Sequence, residues 1–297
     1  MTVTLAQVTT AFLAKQGLAT SIVRTYELTL LPLLSEYGRL PIELITRQIL
    51  IDYLNNLSNL KYSTHNRHQS IISALFNFAV AESYIKFNPI NKLPSRKPQR
   101  QLGEHKTDEV SRYLSQSQLS IMYELVKSNP RLEAIVHLLH RTGARISELL
   151  GLSLSDVNQE ERKFQVIGKG NKQRWCFYSQ DTEEALKKYI KYYRYTNSPA
   201  LFTAQQQFSN LVTRVSYEAV HADWVKITSS CEELKDVRLH DLRHTFATER
   251  VGLMGIEELR ALMGHSSIQT TLRYQKVTSA RAEEVAKKAL NILTLNT

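Results

Sequence analysis

Four short segments of the sequence hold side chains suited to binding and attacking an anionic group. They are Thr142–Leu152, Gly168–Lys172, His240–Thr248 and Leu262–Tyr274. Arginine, lysine and histidine can neutralise anionic oxygens through charge-assisted hydrogen bonds, and a tyrosine hydroxyl can act as a nucleophile. Each segment is thus a candidate part of an anion-binding site.

The first segment places an arginine at the start of a helix. Gly143 can end one helix, so that Arg145 falls in the first turn of the next. Glu148 follows three residues later on the same face, where its carboxylate can hold the guanidinium. A lone arginine is usually a solvated surface charge, but one fixed in this way suits bidentate binding of a phosphate.

The second segment is a turn rich in glycine and lysine between two extended runs. Glycines in Gly168–Lys172 fit a β-hairpin turn. The turn is not a P-loop, because the Walker spacing is missing and no Ser or Thr follows the lysine. Lysines in turns are usually only solvated, but Lys169 at a hairpin tip can reach into a DNA groove and donate a proton.

The third segment places three basic side chains on one helix. His240 and Arg243 share a face, and His244 lies one turn beyond His240. Two histidines at this spacing can bind zinc, but no Glu follows His240 as in the zincin pattern, and the Arg243 cation between them repels a metal. We therefore expect no metal site and assign His244 a structural hydrogen-bonding role.

The fourth segment ends in a tyrosine. Gly264 can close one helix, and Ser266 with Gln269 can form the capping box of the next, which Tyr274 ends. The chain has 14 tyrosines, most of which must be ordinary core or surface aromatics. Tyr274 stands out because it follows the turn that carries His265.

The charge of the chain indicates a polyanionic partner. Its 297 residues are enough for two domains, and its formal net charge is +10 with a pI near 9.5. The sequence has no long uncharged apolar run, which argues against a membrane-spanning helix, and no secretory signal pattern at its start. Cys176 and Cys231 are expected to be reduced thiols, and the expected location is cytoplasmic.

Residues 1–90 are predicted to form a helical bundle. Apolar residues recur at helical spacing in four stripes. The stripes lie at Val8–Leu13, Tyr26–Leu34, Ile49–Leu57 and Thr64–Val80. Ser63 or Thr64 is the expected N-cap of the fourth helix, whose core positions are Ile71, Ile72, Leu75, Phe76 and Ala79.

Residues 91–113 are predicted to form a basic interdomain linker. Prolines in this stretch exclude a regular helix. The stretch is either a solvated tether or a strap across a phosphate backbone, and the overall charge favours the strap. In that case we expect contacts to the DNA backbone from Arg96, Lys97 and Arg100.

Residues 114–297 are predicted to form an α+β domain, which makes the whole chain mainly α with a small antiparallel β-sheet. Extended runs at Phe164–Ile167 and Arg174–Tyr178 predict a hairpin around the glycine- and lysine-rich turn. Helical patterns occupy Gln118–Val126, Leu132–Leu139, Glu183–Tyr193, Asn210–Thr228 and the chain from His240 onward. The last predicted helix, Ser279–Leu293, has an apolar stripe with charges mostly on its other faces.

Taken in order, the four segments resemble the catalytic domain of the tyrosine recombinase (phage integrase-like) family. The family signature is Arg, Lys, His-x-x-Arg, His or Trp, and then Tyr. The residues that match it are Arg145, Lys169, His240, Arg243, His265 and Tyr274. The helical bundle and linker resemble the core-binding domain of the family by pattern, and the chain is similar to its compact Xer-like or Cre-like members. Gln275–Lys276 departs from the threonine–histidine pair that many members have after the tyrosine.

The resemblance implies a site-specific DNA recombinase that uses no metal, no ATP and no other cofactor. Tyr274 attacks phosphorus to form a 3′-phosphotyrosine and release a 5′-hydroxyl. Four side chains are implied to neutralise the transition state, namely Arg145, Arg243, His240 and His265. Lys169 is the expected general acid for the 5′-oxygen, and His240 is expected to assist deprotonation of the tyrosine.

The family also implies assembly on double-stranded DNA. Four subunits on two DNA sites exchange strands through a Holliday junction, the two domains clamp the duplex, and a C-terminal helix docks into the neighbouring subunit. The DNA target and the need for a second recombinase or accessory protein stay open. The choice between integration, excision, dimer resolution and transposition stays open as well.

Two alternative functions use similar residues. A type IB topoisomerase has nearly the same catalytic set but relaxes supercoils as a monomer, so plasmid relaxation by dilute protein without a recombination site distinguishes it. A catalytically silent DNA-binding relative is the second alternative. The presence of all six signature residues argues against a silent protein.

Overall fold

The chain divides into two compact units, Met1–Val110 and Ser111–Thr297. A computed structural model describes residues 2–104, 112–168, 173–206, 209–276 and 286–287. Within these ranges the chain is mostly helical, and its short strands form small antiparallel sheets. The predicted fold class is therefore confirmed. In the same ranges, no helix is both long enough and apolar enough to cross a membrane.

The apolar stripes of the first unit lie on helices, as predicted. The α-helices in the described part of this unit are α1 (Leu5–Leu13), α2 (Thr20–Tyr37), α3 (Arg47–Asn56) and α4 (Tyr62–Ala81). The predicted core positions of α4 are at most 5 % exposed; they are Ile71, Ile72, Leu75, Phe76 and Ala79. The predicted cap is wrong, because α4 begins at Tyr62 after Lys61, and the Tyr62 N–H donates to the Glu104 carboxylate at 2.7 Å instead of to a serine or threonine cap.

The chain that follows α4 packs back onto that helix. The amide of Asn66 holds both main-chain groups of Arg96, since Nδ2 donates to the Arg96 carbonyl at 2.9 Å and Oδ1 accepts from its N–H at 2.9 Å. Gln69 Nε2 donates to the Leu93 carbonyl at 2.8 Å. These bonds argue against the alternative of a solvated tether for residues 93–96. Residues 105–111 of the predicted linker lie outside the described residues.

The second unit contains the predicted hairpin. Its helices are α5 (Gln116–Val126), α6 (Pro130–Thr142), α7 (Ile146–Gly151), α8 (Gln180–Tyr192), α9 (Tyr217–Thr228), α10 (Leu239–Arg250), α11 (Ile256–Met263) and α12 (Ile268–Leu272). Its strands are β1 (Val157–Asn158), β2 (Lys163–Ile167), β3 (Gln173–Phe177), β4 (Thr203–Gln205) and β5 (Val212–Arg214). β2 pairs antiparallel with β3, with Phe164 opposite Cys176, and β1 joins the other edge of β2.

The predicted helix over Asn210–Thr228 is wrong in its first part. Val212–Arg214 forms strand β5, which pairs antiparallel with β4. Helix α9 starts only after Ser216, whose side chain accepts a hydrogen bond from the Ala219 N–H at 3.2 Å. A serine cap and pairing with the preceding strand β4 therefore override the apolar spacing that predicted a longer helix.

Helices α6 and α10 form the buried frame of the second unit. They pack against each other, and eight of the 12 residues of α10 are buried. α6 ends at Gly143, which has a positive φ of 63° and approaches the ring of Phe246 on α10 so closely that a side chain would collide with it. The first arginine of the sequence signature, Arg145, therefore follows directly after α6, which packs against the helix α10 that carries the His-x-x-Arg pair.

Candidate active site

Arg145 stands at the junction between α6 and α7, and Glu148 holds it. The Glu148 carboxylate accepts the Arg145 N–H at 2.8 Å and its Nη1 at 2.8 Å. The arginine side chain is 34 % exposed and that of the glutamate only 7 %, so the guanidinium faces outward over a buried anion. Burial raises the pKa of Glu148, but hydrogen bonds from Arg174 and from the Arg145 main chain outweigh it and lower the pKa to about 2. Glu148 is therefore an anion at any working pH.

A second arginine, Arg174 on β3, binds the same carboxylate. Its Nη1 donates to Oε1 of Glu148 at 3.0 Å and its Nη2 to Oε2 at 2.7 Å, while its Nε donates to the Leu262 carbonyl at 2.9 Å. The sequence reasoning missed this contact. The available signal was the alternation of β3, which turns Arg174 inward on the same face as the buried Cys176.

Arg243 on α10 is a buried cation. It is 2 % exposed, and its Nη2 donates to the Met263 carbonyl at 2.5 Å while its Nη1 donates to the Gly143 carbonyl. Burial lowers its pKa to about 10, and the neighbouring Arg145 and Arg174 act in the same direction. Arg243 therefore stays charged at neutral pH, and it shares its surroundings with two further guanidinium groups, those of Arg145 and Arg174, and with the Glu148 carboxylate.

The C-terminal end of α11 accepts hydrogen bonds from all three arginines. Arg174 bonds the Leu262 carbonyl, Arg243 the Met263 carbonyl, and Arg145 Nη2 lies 3.4 Å from the Gly264 carbonyl. The last carbonyls of a helix lack partners within the helix and carry a partial negative charge, which cations stabilise. Gly264 ends α11 with a positive φ of 61°, as predicted, and the chain turns directly into His265.

His265 is a neutral ring packed against the candidate nucleophile. It is 9 % exposed, its Nδ1 lies 2.9 Å from the Thr271 hydroxyl, and its ring stacks nearly parallel to Tyr274 at 6.3 Å between centroids. Burial lowers its pKa to about 3, and the nearby Arg243 and Arg145 act in the same direction. Because Thr271 occupies Nδ1, only Nε2 is left to face a substrate.

Tyr274 lies in a short 3₁₀ turn, Arg273–Lys276, after α12 and is 2 % exposed. Its hydroxyl lies 2.9 Å from His244 Nδ1. Burial raises the pKa of Tyr274, although Arg243 opposes the shift. The helix before this turn is capped by Ser267 rather than by the predicted Ser266.

The Tyr274 hydroxyl bonds to His244, the second histidine of the segment His240–Thr248, and not to His240. Burial lowers the pKa of His244 to about 4, so its ring is neutral near pH 7 and Nδ1 can accept the phenolic hydrogen. His240 is exposed as a residue and meets His244 edge-on at 4.8 Å between centroids. Partial desolvation of its ring, together with the Arg243 cation, lowers its pKa. The contact expected for His240 as an aid to tyrosine deprotonation is therefore made by His244 in this structure.

Some predicted site residues are placed elsewhere or lie outside the description. Lys169 and most of Ser279–Leu293 are outside the described residues. Arg96 is only 17 % exposed in its side chain, with Nη1 bonded to the Ser58 and Leu60 carbonyls and Nη2 bonded to Glu104. This placement argues against Arg96 as a contact to the DNA backbone. Lys97 and Arg100 are exposed.

Metal binding finds no support in the described residues. They contain no group of three or more His, Cys, Asp or Glu side chains that could hold an ion. His240 and His244, the pair considered for zinc, instead contact each other edge-on, and the ring nitrogen of His244 bonds Tyr274. The site as described combines arginine, histidine and tyrosine side chains with the Glu148 carboxylate, whose bonds go to Arg145 and Arg174.

Comparison with known proteins identifies the class. Residues 112–281 match the phage integrase family. The tyrosine recombinase XerC of Thermodesulfovibrio yellowstonii is 30% identical over 234 residues, which cover 76% of this chain and 75% of that protein. The tyrosine recombinase XerD of Corynebacterium glutamicum is 33% identical over 160 residues, 52% of this chain and 51% of that protein.

Solved structures share the fold. The Tn1549 transposon integrase in complex with a circular intermediate DNA matches with a TM-score of 0.71 and 20% identity, over 97% of this chain and 99% of that chain. A lambda integrase dimer bound to a COC' core site matches with a TM-score of 0.69 and 17% identity, over 91% of this chain and 93% of that chain. At these identities the likeness shows the fold alone.

The chain belongs to the phage integrase family, since the family match spans more than half of its length. It is a tyrosine recombinase, an enzyme of site-specific DNA recombination similar to XerC and XerD. The resemblance seen in the sequence is therefore confirmed at the level of the family and the enzyme class.

Proposed function

We propose that the chain cleaves and rejoins DNA by transesterification through Tyr274. The phenolic oxygen attacks the scissile phosphorus, the bond from phosphorus to the 5′-oxygen breaks, and a 3′-phosphotyrosine and a 5′-hydroxyl result. Attack by the 5′-hydroxyl of another strand reverses the step and releases the tyrosine. The phosphotyrosine preserves the energy of the phosphodiester bond, so the cycle needs no nucleotide.

The excess positive charge of the site supports this reaction. A phosphoryl transition state concentrates negative charge on the non-bridging oxygens, and fixed donors stabilise it best in a site shielded from water. Arg145 uses Nη1 on Glu148 and has N–H groups left for an oxygen. Both terminal nitrogens of Arg243 are already bonded to carbonyls, but each carries a second hydrogen.

The histidines have separate proposed roles. His265 presents Nε2 as a donor to a phosphate oxygen, because its Nδ1 is held by Thr271. His244 receives the phenolic proton as attack begins, because its Nδ1 already faces the hydroxyl. His240, one turn away and exposed, helps to neutralise the phosphate. Lys169 is proposed as the general acid that protonates the departing 5′-oxygen.

The observation that carries the proposal is the position of the Tyr274 hydroxyl. Of the 14 tyrosines in the chain, this one bonds a neutral histidine beside His265 and within the field of Arg243 and Arg145. A ring that is 2 % exposed cannot meet a phosphate without local movement. The arrangement is therefore the resting one, and DNA binding must uncover the ring.

Trapping on nicked suicide DNA tests the proposal. After cleavage the short strand diffuses away, and a denaturing gel shows the covalent protein–DNA adduct. Tyr274→Phe is expected to bind DNA with unchanged affinity and to form no adduct. Tyr178→Phe, at another buried tyrosine that is 6 % exposed, is the matched control and should form adduct as the unsubstituted protein does. Adduct formed by the Tyr274 variant would remove this residue as the nucleophile.

The assembly on DNA is also a proposal. A lambda integrase tetramer bound to a Holliday junction shares the fold of this chain with a TM-score of 0.67 and 18% identity. We extend that arrangement to this chain, with residues 1–90 as the core-binding domain, 114–297 as the catalytic domain, and the predicted helix Ser279–Leu293 docked in the neighbouring subunit. Truncation before Ser279 should leave binding to a single site intact and abolish pairing of two sites. Normal pairing and strand exchange by the truncated protein would exclude a role for the tail.

A further inference from the structure

Arg174 makes three directed hydrogen bonds beside the active site, and none of the catalytic roles proposed above uses it. Its side chain is 9 % exposed, and all three of its guanidinium nitrogens have partners. Two nitrogens form a bidentate pair with Glu148, and the third bonds the Leu262 carbonyl. Two parallel hydrogen bonds between a guanidinium fork and a carboxylate fix the relative orientation of the two groups as well as their distance.

Glu148 is shared evenly between two arginines. Each of its oxygens accepts one bond from Arg174 and one from Arg145, which contributes its N–H to Oε2 and Nη1 to Oε1. Four donors saturate a carboxylate that is only 7 % exposed. Because Arg174 occupies half of the acceptor sites, only one guanidinium nitrogen of Arg145, Nη1, bonds to Glu148.

The neighbours of Arg174 fix the plane in which it approaches Glu148. Its Nε is anchored on the Leu262 carbonyl at 2.9 Å, and its side chain lies directly over Gly264. A β-carbon at Gly264 would stand 2.8 Å from Nη1 and 3.1 Å from Cδ of the arginine. The absence of a side chain at Gly264 is therefore a condition for the approach of Arg174.

We propose that Arg174 is a positioning residue for strand cleavage. By occupying half of the acceptor positions of Glu148, it keeps Arg145 from pairing with the carboxylate through two guanidinium nitrogens and leaves the other guanidinium donors of Arg145 for the scissile phosphate. Without Arg174, two acceptor positions on a buried anion lose their donors, and the adjacent guanidinium is the nearest group that can fill them. Arg145 would then turn inward to a bidentate pair with Glu148. The inference rests on the proposed role of Arg145 at the phosphate.

A purely structural ion pair between β3 and α7 predicts something different. Loss of Arg174 would then lower the stability of the fold, and any effect on cleavage would be independent of Arg145. A positioning role predicts instead that substituting Arg174 slows cleavage no further once Arg145 has been replaced, since Arg174 acts only through Arg145.

The test is a double-mutant cycle on single-turnover cleavage of suicide DNA. The variants are Arg174→Met, Arg145→Ala and the pair of both, with DNA affinity measured in parallel. Arg131→Met is the matched control, because Arg131 likewise joins a carboxylate, Asp223 at 2.8 Å, to a main-chain carbonyl, that of Thr203 at 3.0 Å. This control breaks a part-buried ion pair with one hydrogen bond to the carboxylate, away from the signature residues.

A positioning role gives four results. Arg174→Met slows cleavage by about 10²-fold, the scale of a misplaced catalytic group, with little change in DNA affinity. Arg131→Met cleaves at the unsubstituted rate. The double variant is no slower than Arg145→Ala, within about a factor of 2. Arg174→Lys, which keeps the charge but not the fork, falls between Arg174→Met and the unsubstituted protein.

Two results would overturn the inference. One is cleavage by Arg174→Met at the rate of the Arg131 control, and the other is multiplication of the two losses in the double variant. If Arg174→Met does not fold, the same cycle is run with Arg174→Lys and is judged by the same non-additivity. Failure of the unsubstituted protein to form an adduct, or normal cleavage by Arg145→Ala, would instead refute the proposed function.

Discussion

Replacing Gly143 by alanine should destabilise the second unit and disturb the active site, because the added methyl group would collide with a buried side chain. It ends α6 with a φ of 63°, and a β-carbon there would lie 2.4 Å from Cδ1 and 2.8 Å from Cγ of Phe246. Phe246 has little room to retreat, because it is 3 % exposed and the Arg250 guanidinium lies 3.7 Å from the centre of its ring. The Gly143 carbonyl also accepts a hydrogen bond from Arg243.

The expected cost of Gly143→Ala has two parts. A left-handed backbone conformation costs an ordinary residue about 1–2 kcal/mol. Forcing a methyl group into a packed contact costs about 1–3 kcal/mol more, through displaced side chains and backbone. We therefore expect a decrease of about 3 kcal/mol in the free energy of unfolding of the second unit, the sum of the two effects. Cleavage should slow as well, because the displaced Phe246 and Gly143 both flank Arg243.

Tryptophan fluorescence is the appropriate assay. The chain has two tryptophans, Trp175 and Trp224, and both lie in the second unit, so urea denaturation followed by fluorescence reports on that unit. Gly151→Ala is the control, since its β-carbon would meet nothing within 4 Å. A Gly143→Ala protein as stable as the Gly151→Ala control would refute the steric reasoning.

Three further predictions concern the reaction and its conditions. Arg145→Ala and Arg243→Ala should each slow cleavage by about 10²-fold in single-turnover assays, and EDTA should leave the unsubstituted rate unchanged because guanidinium groups supply the positive charge. The pKa of His265 is about 3 in the folded chain against the ordinary 6.5, so unfolded chains bind protons that folded ones do not. The contribution of this ring to stability in urea should then be full above about pH 6.5 and fall by at most about 1.4 kcal/mol per pH unit as the pH drops toward about 3, and His265→Asn should remove this part of the fall. Neutralising Lys97 and Arg100 should weaken binding to all DNA sequences. The slope of log affinity against log salt concentration should become shallower by about 0.9 for each phosphate that is no longer neutralised. An unchanged slope would show that neither side chain touches the DNA backbone.

The local pattern of the sequence was sufficient for most of the secondary structure. The apolar stripe of α4 and the alternation of β2 and β3 lie where they were expected, because burial of one face leaves a periodic trace in a single segment. The pattern failed at Val212–Arg214, where pairing with the preceding strand β4 replaced the expected helix. It also failed at the caps of α4 and α12, where the cap lies one to three residues from the predicted position.

The order and spacing of the reactive and charged residues were likewise sufficient to identify the family. Arginine, lysine, the His-x-x-Arg pair, histidine and tyrosine follow one another in the chain, and that order survives any folding of the segments. Sequence alone therefore determined the class of enzyme and its candidate nucleophile, Tyr274. It also indicated the Arg145–Glu148 pair, because residues three apart on one helical turn are neighbours whatever the rest of the fold does.

Only the tertiary structure decided which side chains meet across segments. Arg174 reaches Glu148 from a strand 26 residues away, and the Tyr274 hydroxyl meets His244 rather than His240. Periodicity tells which face of an element is buried, but it carries no information about which other element covers that face. These contacts depend on the packing of β3, α10 and the turn after α12 around the end of α11, and that packing is fixed by the core as a whole.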